Sequence, residues 1–420
     1  MTLHIVHKKS RLFLLLVVFS SLLLLSGCGG NRDWVMFRGE KGKGISQSVL
    51  HPPLGIKWKL KLQEHSERAY AFNNPIVLGD TIYFGSTDGN FYALDIESGY
   101  MRWVFKTGGS INSVPTADES KVYVGSNDGK VYALSRDRGE LVWSFQTDST
   151  VQSTIIRSED YVIAISDAGH LFALSPDGRE EFSLPNPVWH YFTFQVYKGV
   201  IYFVPGPLSD PHSLSVYDIR SRDYLWILPT YIFDAVWYSF AAIHNDSLHF
   251  STSDPHGSYW EFDYYSYDRE TGKVIWKYGD LSSWGKNVPS NLYRLYEQNL
   301  KLLDYMAPAI WKNLVIYTSG DAVVRTFDAN TGRIAWQREF DTYTTSAPTV
   351  AGDFVYFGLS GYNNATGEKK PRLVCLSARN GKLMWELETE GALLSAPVVA
   401  NKWMIFGTDE NYFYVLEALF

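Results

Sequence analysis

The side chains able to do chemistry are sparse and poorly grouped. His190, His212, His244, His249 and His256 fall in the middle third of the chain, and imidazoles in that number raise the question of a metal. His244 and His249 are five residues apart. On a single extended strand an odd separation points the two rings to opposite faces, so the pair predicts no metal site. The two cysteines are Cys28 and Cys375. Cys375 lies in "RLVCLSARNG", where equivalent stretches carry Ala93 and Ala133, and reads as a small buried strand residue rather than a nucleophile. No nucleophile elbow, phosphate loop or zinc-protease motif is present, and no catalytic residue is assigned.

The elements that would hold any site are easier to read, because one pattern recurs along the chain. Asp95, Gly99 and Trp103 are spaced by four, and so are Ser135, Gly139 and Trp143, then Asp268, Gly272 and Trp276. Asp328, Gly332 and Trp336, and Ser377, Gly381 and Trp385, follow the same spacing. Asp218, Arg222 and Trp226 keep it with Arg in place of Gly, and "ALSPDGREEF" is one residue short with Phe182 in place of Trp. Repeats of about forty residues and upward predict a solenoid or a propeller. In "NPIVLGDTIYFGSTDGNFYALD", three short alternating runs are separated by "LGD" and "TDG", which are turn signals between paired strands. The Asp or Ser bonds the backbone that follows it, the Gly takes a positive φ, and the Trp of a fourth strand buries against the next unit. Each unit therefore predicts a four-stranded antiparallel blade.

Seven units begin near Pro75, Pro115, Ser153, Phe194, Phe240, Pro308 and Pro348, and the last stretch, "APVVANKWMIFGTDENYFYVLEALF", holds only three strands. "GIKWKLKL", with Trp58, has no strands of its own before it and supplies the missing one. The expectation is an all-β, eight-bladed propeller closed by an amino-terminal strand, which removes two exposed edges.

"DRETGKVIW" and "DANTGRIAW" resemble the repeat of the pyrroloquinoline-quinone (PQQ) type propellers, and "DWVMFRGEKGKGIS" resembles the W-x-x-F-R-G segment of their bacterial members. The resemblance covers residues 33 to 420. The family includes dehydrogenases as well as non-enzymatic propeller lipoproteins of the outer-membrane β-barrel assembly machinery, so it implies a fold more sharply than a function. Its dehydrogenases hold PQQ on the propeller axis beside a vicinal disulfide and a calcium ion. This chain has no adjacent cysteines and no C-x-x-C-H haem motif, so neither PQQ nor calcium is expected and the protein reads as a non-enzyme.

The amino terminus begins with Lys8, Lys9 and Arg11, continues with an apolar run from Leu12 to Leu25, and ends in "LSGC", which resembles the bacterial lipobox. That predicts a signal peptide over 1–27, an acylated Cys28 opening a segment over 28–53, and a propeller over 54–420. With Cys28 acylated, Cys375 has no disulfide partner. Gly29 follows the cysteine where an inner-membrane retention signal usually places Asp, so the resemblance implies an outer-membrane anchor facing the periplasm.

Residues 1–27 hold three basic residues and no acid, which leaves 35 basic against 45 acidic residues and a net charge of −10. There is no basic excess to neutralise phosphates, and nucleic acid is excluded as a general partner. The expected partner is another envelope protein, with barrel-assembly components as the specific case. Two connections leading into blades are rich in aromatics, "PVWHYF" and "YIFDAVWY", and a third expands to residues 279–306. Leu292, Leu295, Tyr296, Leu300 and Leu303 within it keep helical spacing. Such connections share one face of a propeller, so Trp189, His190, Tyr191, Trp237, Tyr238, Leu292 and Tyr296 form the candidate recognition face.

Overall fold

The structure is a computed structural model. It describes residues 33–39, 42–62, 74–158, 160–185, 193–204, 213–229, 237–256, 259–283, 307–361, 369–393 and 395–420. The compact unit runs from Asp33 to Phe420. Its strands form eight sheets, each an antiparallel four-stranded blade at its heart. Blade 1 shows the pattern: Ile76–Leu78 innermost, then Thr81–Gly85, Asn90–Asp95 and Met101–Lys106 on the outside. Burial falls in the same order, from fully buried first and second strands to an alternating, half-exposed outer strand. The alternation expected of all three inner strands is therefore absent from the first two in burial, because neighbouring blades cover both of their faces, and it appears only from the third strand outward.

The ring closes as the sequence predicts. Leu54–Lys61 pairs antiparallel with Tyr412–Ala418, from Leu54 opposite Ala418 to Lys61 opposite Tyr412. This supplies the outer strand of blade 8 from the amino-terminal side of the chain.

The repeated residues act between blades. Asp95 Oδ1 accepts from the Ser98 N–H at 2.8 Å, and Asp268 and Asp328 accept from Thr271 and Thr331 in the same way. The outer-strand tryptophans donate to the corresponding turn of the next blade: Trp103 Nε1 to Arg136 O at 3.0 Å, Trp276 to Ala329 O at 2.8 Å, Trp336 to Ala378 O at 3.0 Å. Trp58 does the same across the closure, to Ile96 O at 2.9 Å.

The Gly of each turn is required twice over. Gly332 has φ +67°, and a Cβ there would lie 2.6 Å from the Trp276 ring. A side chain would be strained in its backbone and would collide with the preceding blade. The two departures from the pattern compensate each other. Blade 3 carries the smaller Phe182, and the turn that packs on it carries Arg222, whose guanidinium lies 5.4 Å from the Phe182 ring centroid. Arg222 keeps the positive φ, +57°.

Blade 5 is larger than its neighbours. Ser247–His256, Tyr259–Asp268 and Val274–Ser283 are ten residues each, and the ladder from Ser247 opposite Asp268 to His256 opposite Tyr259 is unbroken. The excess of about four residues per strand lengthens this blade by roughly 13 Å on one side of the ring.

Candidate functional site

A propeller offers three places for chemistry or recognition: the axis and its two rims. One rim carries the turns after the first and third strands, including the Asp-to-Gly turns. The other carries the hairpins between second and third strands and the connections between blades. These are called here the Asp–Gly rim and the connection rim.

The axis is filled by the chain itself. Residues 33–39 and 42–46 run as a strap along the innermost strands. Trp34 exchanges both backbone bonds with Val77 of blade 1, and Val35 O accepts from Ala117 N and Thr116 Oγ1 of blade 2. Phe37 packs edge-on against Phe240 at 5.0 Å and joins a cluster that includes Val114, Ile156, Phe194, Ala347 and Ala396, drawn from around the ring. Arg38 is 2 % exposed, and its Nη2 donates to Pro308 O at 2.8 Å and Pro348 O at 3.0 Å, tying blades 6 and 7. The strap then returns: Lys43 O accepts from Ile310 N, Gly44 O from Val350 N, and Ile45–Ser46 pairs parallel with Val350 and Ala351. Ser46 Oγ donates to Val399 O of blade 8 at 2.7 Å.

The residue types of "FRGEKGKG" follow from this path. Phe fills the apolar centre, Arg satisfies carbonyls at strand starts that have no ladder partner, and Gly44, at φ +66°, lies where a Cβ would run into the Arg38 guanidinium. Beside the strap is a cavity of about 10 Å³ lined by Trp34, Phe37, Arg38, Asn74, Pro75, Ala396 and Val398. That is room for one water at most.

The groups that a PQQ–calcium pair needs do not fit this axis. Phe37 and Arg38 take the axial space, and no cluster of three metal-ligating side chains occurs among the described residues. The chain's two cysteines are not adjacent in sequence, and Cys375 is fully buried, its thiol pushed up to about 12 by desolvation.

The histidine pair is placed differently from the sequence expectation. His244 ends one strand and His249 lies on the next, across the Asn245–Asp246 turn, with Ala242 opposite His249 and Ser247 opposite His244. A diagonal pair on adjacent strands shares a face, and the rings lie 6.5 Å apart rather than on opposite faces. Asn245 and Asp246 are themselves turn residues, Asn245 with φ +53°, and they are the local signal that puts the two histidines on separate strands. His249 is fully buried, neither ring nitrogen has a hydrogen-bond partner among the described residues, and desolvation pushes its pKa down to about 3.

The expected lipidation residue, Cys28, and the candidate recognition residues Trp189, His190, Tyr191, Leu292 and Tyr296 lie outside the described residues. Trp237 and Tyr238 are not in a connection. They form a short strand that pairs with Ser253 and Thr252 of Ser247–His256, the same strand of blade 5 on which Ala242–His244 pairs. The lengthened hairpin of that blade turns at the connection rim. The strands on either side of residues 186–192, 230–236 and 284–306 end and begin at the same rim.

Comparison with known proteins agrees with this architecture. The chain is a PQQ-like β-propeller of eight blades. The profile described as outer membrane protein assembly factor BamB matches residues 54–228, 261–365 and 321–419, and the chain belongs to that family. BamB from Moraxella catarrhalis superposes with a TM-score of 0.58 at 16% identity, covering 87% of this chain and 100% of that one. The computationally designed Ika8 protein gives 0.63 at 13% identity, over 88% and 99%. A quinohemoprotein alcohol dehydrogenase from Pseudomonas putida HK5 also gives 0.63, at 16% identity, over 92% and 80%. At these identities the likeness is one of fold. No curated protein matches the sequence.

Proposed function

We propose that this chain is a non-enzymatic envelope lipoprotein, anchored to the outer membrane through Cys28 after removal of residues 1–27, that works as a scaffold for other envelope proteins. Membership of the BamB family supports a place among outer-membrane assembly components. The observation that supports the non-enzymatic reading is the strap: Phe37 and Arg38 pack among the first strands from around the ring, toward the axis on which the resemblance places the quinone of the family's dehydrogenases. Recognition then falls to a rim. The connection rim over blades 4 to 6 is favoured by the lengthened hairpin of blade 5, on which the Trp237–Tyr238 strand pairs, and by the aromatic stretch that holds Trp189 and Tyr191. Aromatic side chains give large contact area for little lost side-chain entropy.

Capture from crosslinked envelopes is the test. Barrel-assembly components are the expected partners, and Trp189→Ala with Tyr191→Ala and Trp237→Ala should weaken capture with the melting temperature nearly intact. Variants that unfold as readily as Trp103→Ala would place those aromatics in the core instead. Added PQQ and calcium should give neither a thermal shift nor dye reduction with alcohols or sugars, and a clear signal in both would overturn the scaffold reading.

A further inference from the structure

Both ends of the strap leave the ring at one rim. Asp33 Oδ1 accepts from Gly79 N at 2.7 Å, and Asn401 Nδ2 donates to Gly79 O at 3.1 Å while also bonding the Asp33 carboxylate. Gly79 and Asn401 are the first turns of blades 1 and 8, so Asp33, the first described residue, sits at the Asp–Gly rim. The other end emerges beside the first turn of blade 7, where Val49 lies against Gly352. Among the described residues, nothing of the strap reaches across the connection rim.

We propose that the Asp–Gly rim is the lipid-facing surface of this protein, and that the connection rim with the extended blade 5 points away from the membrane. The proposal rests on the reading of Cys28 as the acylated residue and adds which face the anchor presents. Chain length decides between the two orientations. Cys28 and Asp33 are five residues apart in sequence, at most about 17 Å of extended chain.

Asp33 is beside an innermost strand, since Trp34 pairs with Val77. A tether turned toward the opposite rim must first pass outward over the other strands of a blade at about 4.8 Å each, roughly 14 Å. It must then descend the blade, and the five residues of Trp403–Gly407 alone span about 17 Å. The sum is nearly twice the tether, and the shorter route through the axis is filled. Lipid charge does not set the orientation, because the Asp–Gly rim exposes both signs: Lys312 beside Asp353, Lys402 beside Glu97, and Arg102 beside Asp80.

The experiment uses the chain from Cys28 onward, coupled through that thiol to a maleimide lipid in phosphatidylcholine vesicles. Cys375 is buried and its thiol is held protonated, so it stays unlabelled. A fluorophore is attached to an azide-bearing amino acid at Lys402, on the Asp–Gly rim, or at Glu410, in the hairpin at the opposite end of the same strand. Quenching by a nitroxide-labelled headgroup should be several-fold stronger at 402 than at 410, in neutral vesicles and in vesicles with phosphatidylserine alike. Equal quenching, or stronger quenching at 410, overturns the proposal. Because the coupling is chemical, this result does not depend on acylation in the cell. Fractionation tests that separately: Cys28→Ser should release the protein from membranes, and unchanged membrane association with no acyl label in the wild type would sink the anchor while leaving the vesicle result as it stands.

Discussion

His249 makes the stability of this ring depend on pH in a way that can be worked from the structure. It is packed between Trp276, 5.8 Å away, and His244, 6.5 Å away, with both nitrogens unpaired. Burial disfavours the imidazolium and pushes its pKa from 6.5 to about 3, with the neighbouring His244 adding to the effect. The folded pKa is depressed for a base, so the neutral form belongs to the fold. Stability is fully present above pH 6.5, where the unfolded chain is also neutral, and is lost as pH falls and the unfolded chain alone takes up the proton. Between neutrality and pH 5 the loss is about 2 kcal/mol, since each pH unit below 6.5 costs about 1.4 kcal/mol.

His249→Leu removes the titrating group and fills the site with an apolar side chain. Urea unfolding followed by tryptophan fluorescence, at pH 7.5 and pH 5.0, should show the wild type losing about 2 kcal/mol more than the variant. Carboxylates titrate in both proteins and cancel in the difference. The variant should be no less stable at pH 7.5, because an unpaired buried imidazole contributes no hydrogen bond. An identical pH dependence in the two proteins would refute the reasoning and mean that His249 is solvated or partnered in the fold.

Further outcomes concern the ring closure and the blade turns. Trp58→Ala should cost about 3 kcal/mol, the scale for a large aromatic truncated in a core, because Trp58 stacks on Phe413, donates to Ile96 O and lies against Gly99. Deleting residues 54–62 should leave an open edge on blade 8 and cause aggregation, and a deletion variant that melts like wild type would show that the ring closes otherwise. Gly332→Ala should destabilise by about 1–2 kcal/mol from its backbone strain alone, and more where the Trp276 ring cannot move. Arg222→Gly, at a turn that faces Phe182 instead of a tryptophan, should change the midpoint far less, and the comparison is read from thermal melts of the two variants.

Much of the ring was legible because its signals are local. A turn Asp, a positive-φ Gly and an outer-strand Trp recur within nine residues, and each follows from contacts made in the same blade or its neighbour. Strand order follows from short connections, and closure follows from counting strands, since Trp58 had no blade of its own. The resemblance in "FRGEKGKG" marked a segment without saying where it goes.

Tertiary structure decided the rest, for one physical reason: those features depend on pairing between residues distant in sequence. Arg38 meets Pro348 across 310 positions, and no periodicity encodes a strap that bonds blades 1 and 2 at its start and blades 6, 7 and 8 at its end. Trp237 and Tyr238 read as a connection because their strand identity comes only from Ser253 and Thr252, on a hairpin longer than the repeat allows. His244 and His249 looked like one strand until the Asn245–Asp246 turn folded them onto a common face. The sequence by itself determined the blade, how many there are and how the circle closes. Only the folded ring determined that Phe37 and Arg38 pack among its innermost strands and that Asp33 sits at the Asp–Gly rim, because both depend on the path of an irregular segment through space that the repeats enclose.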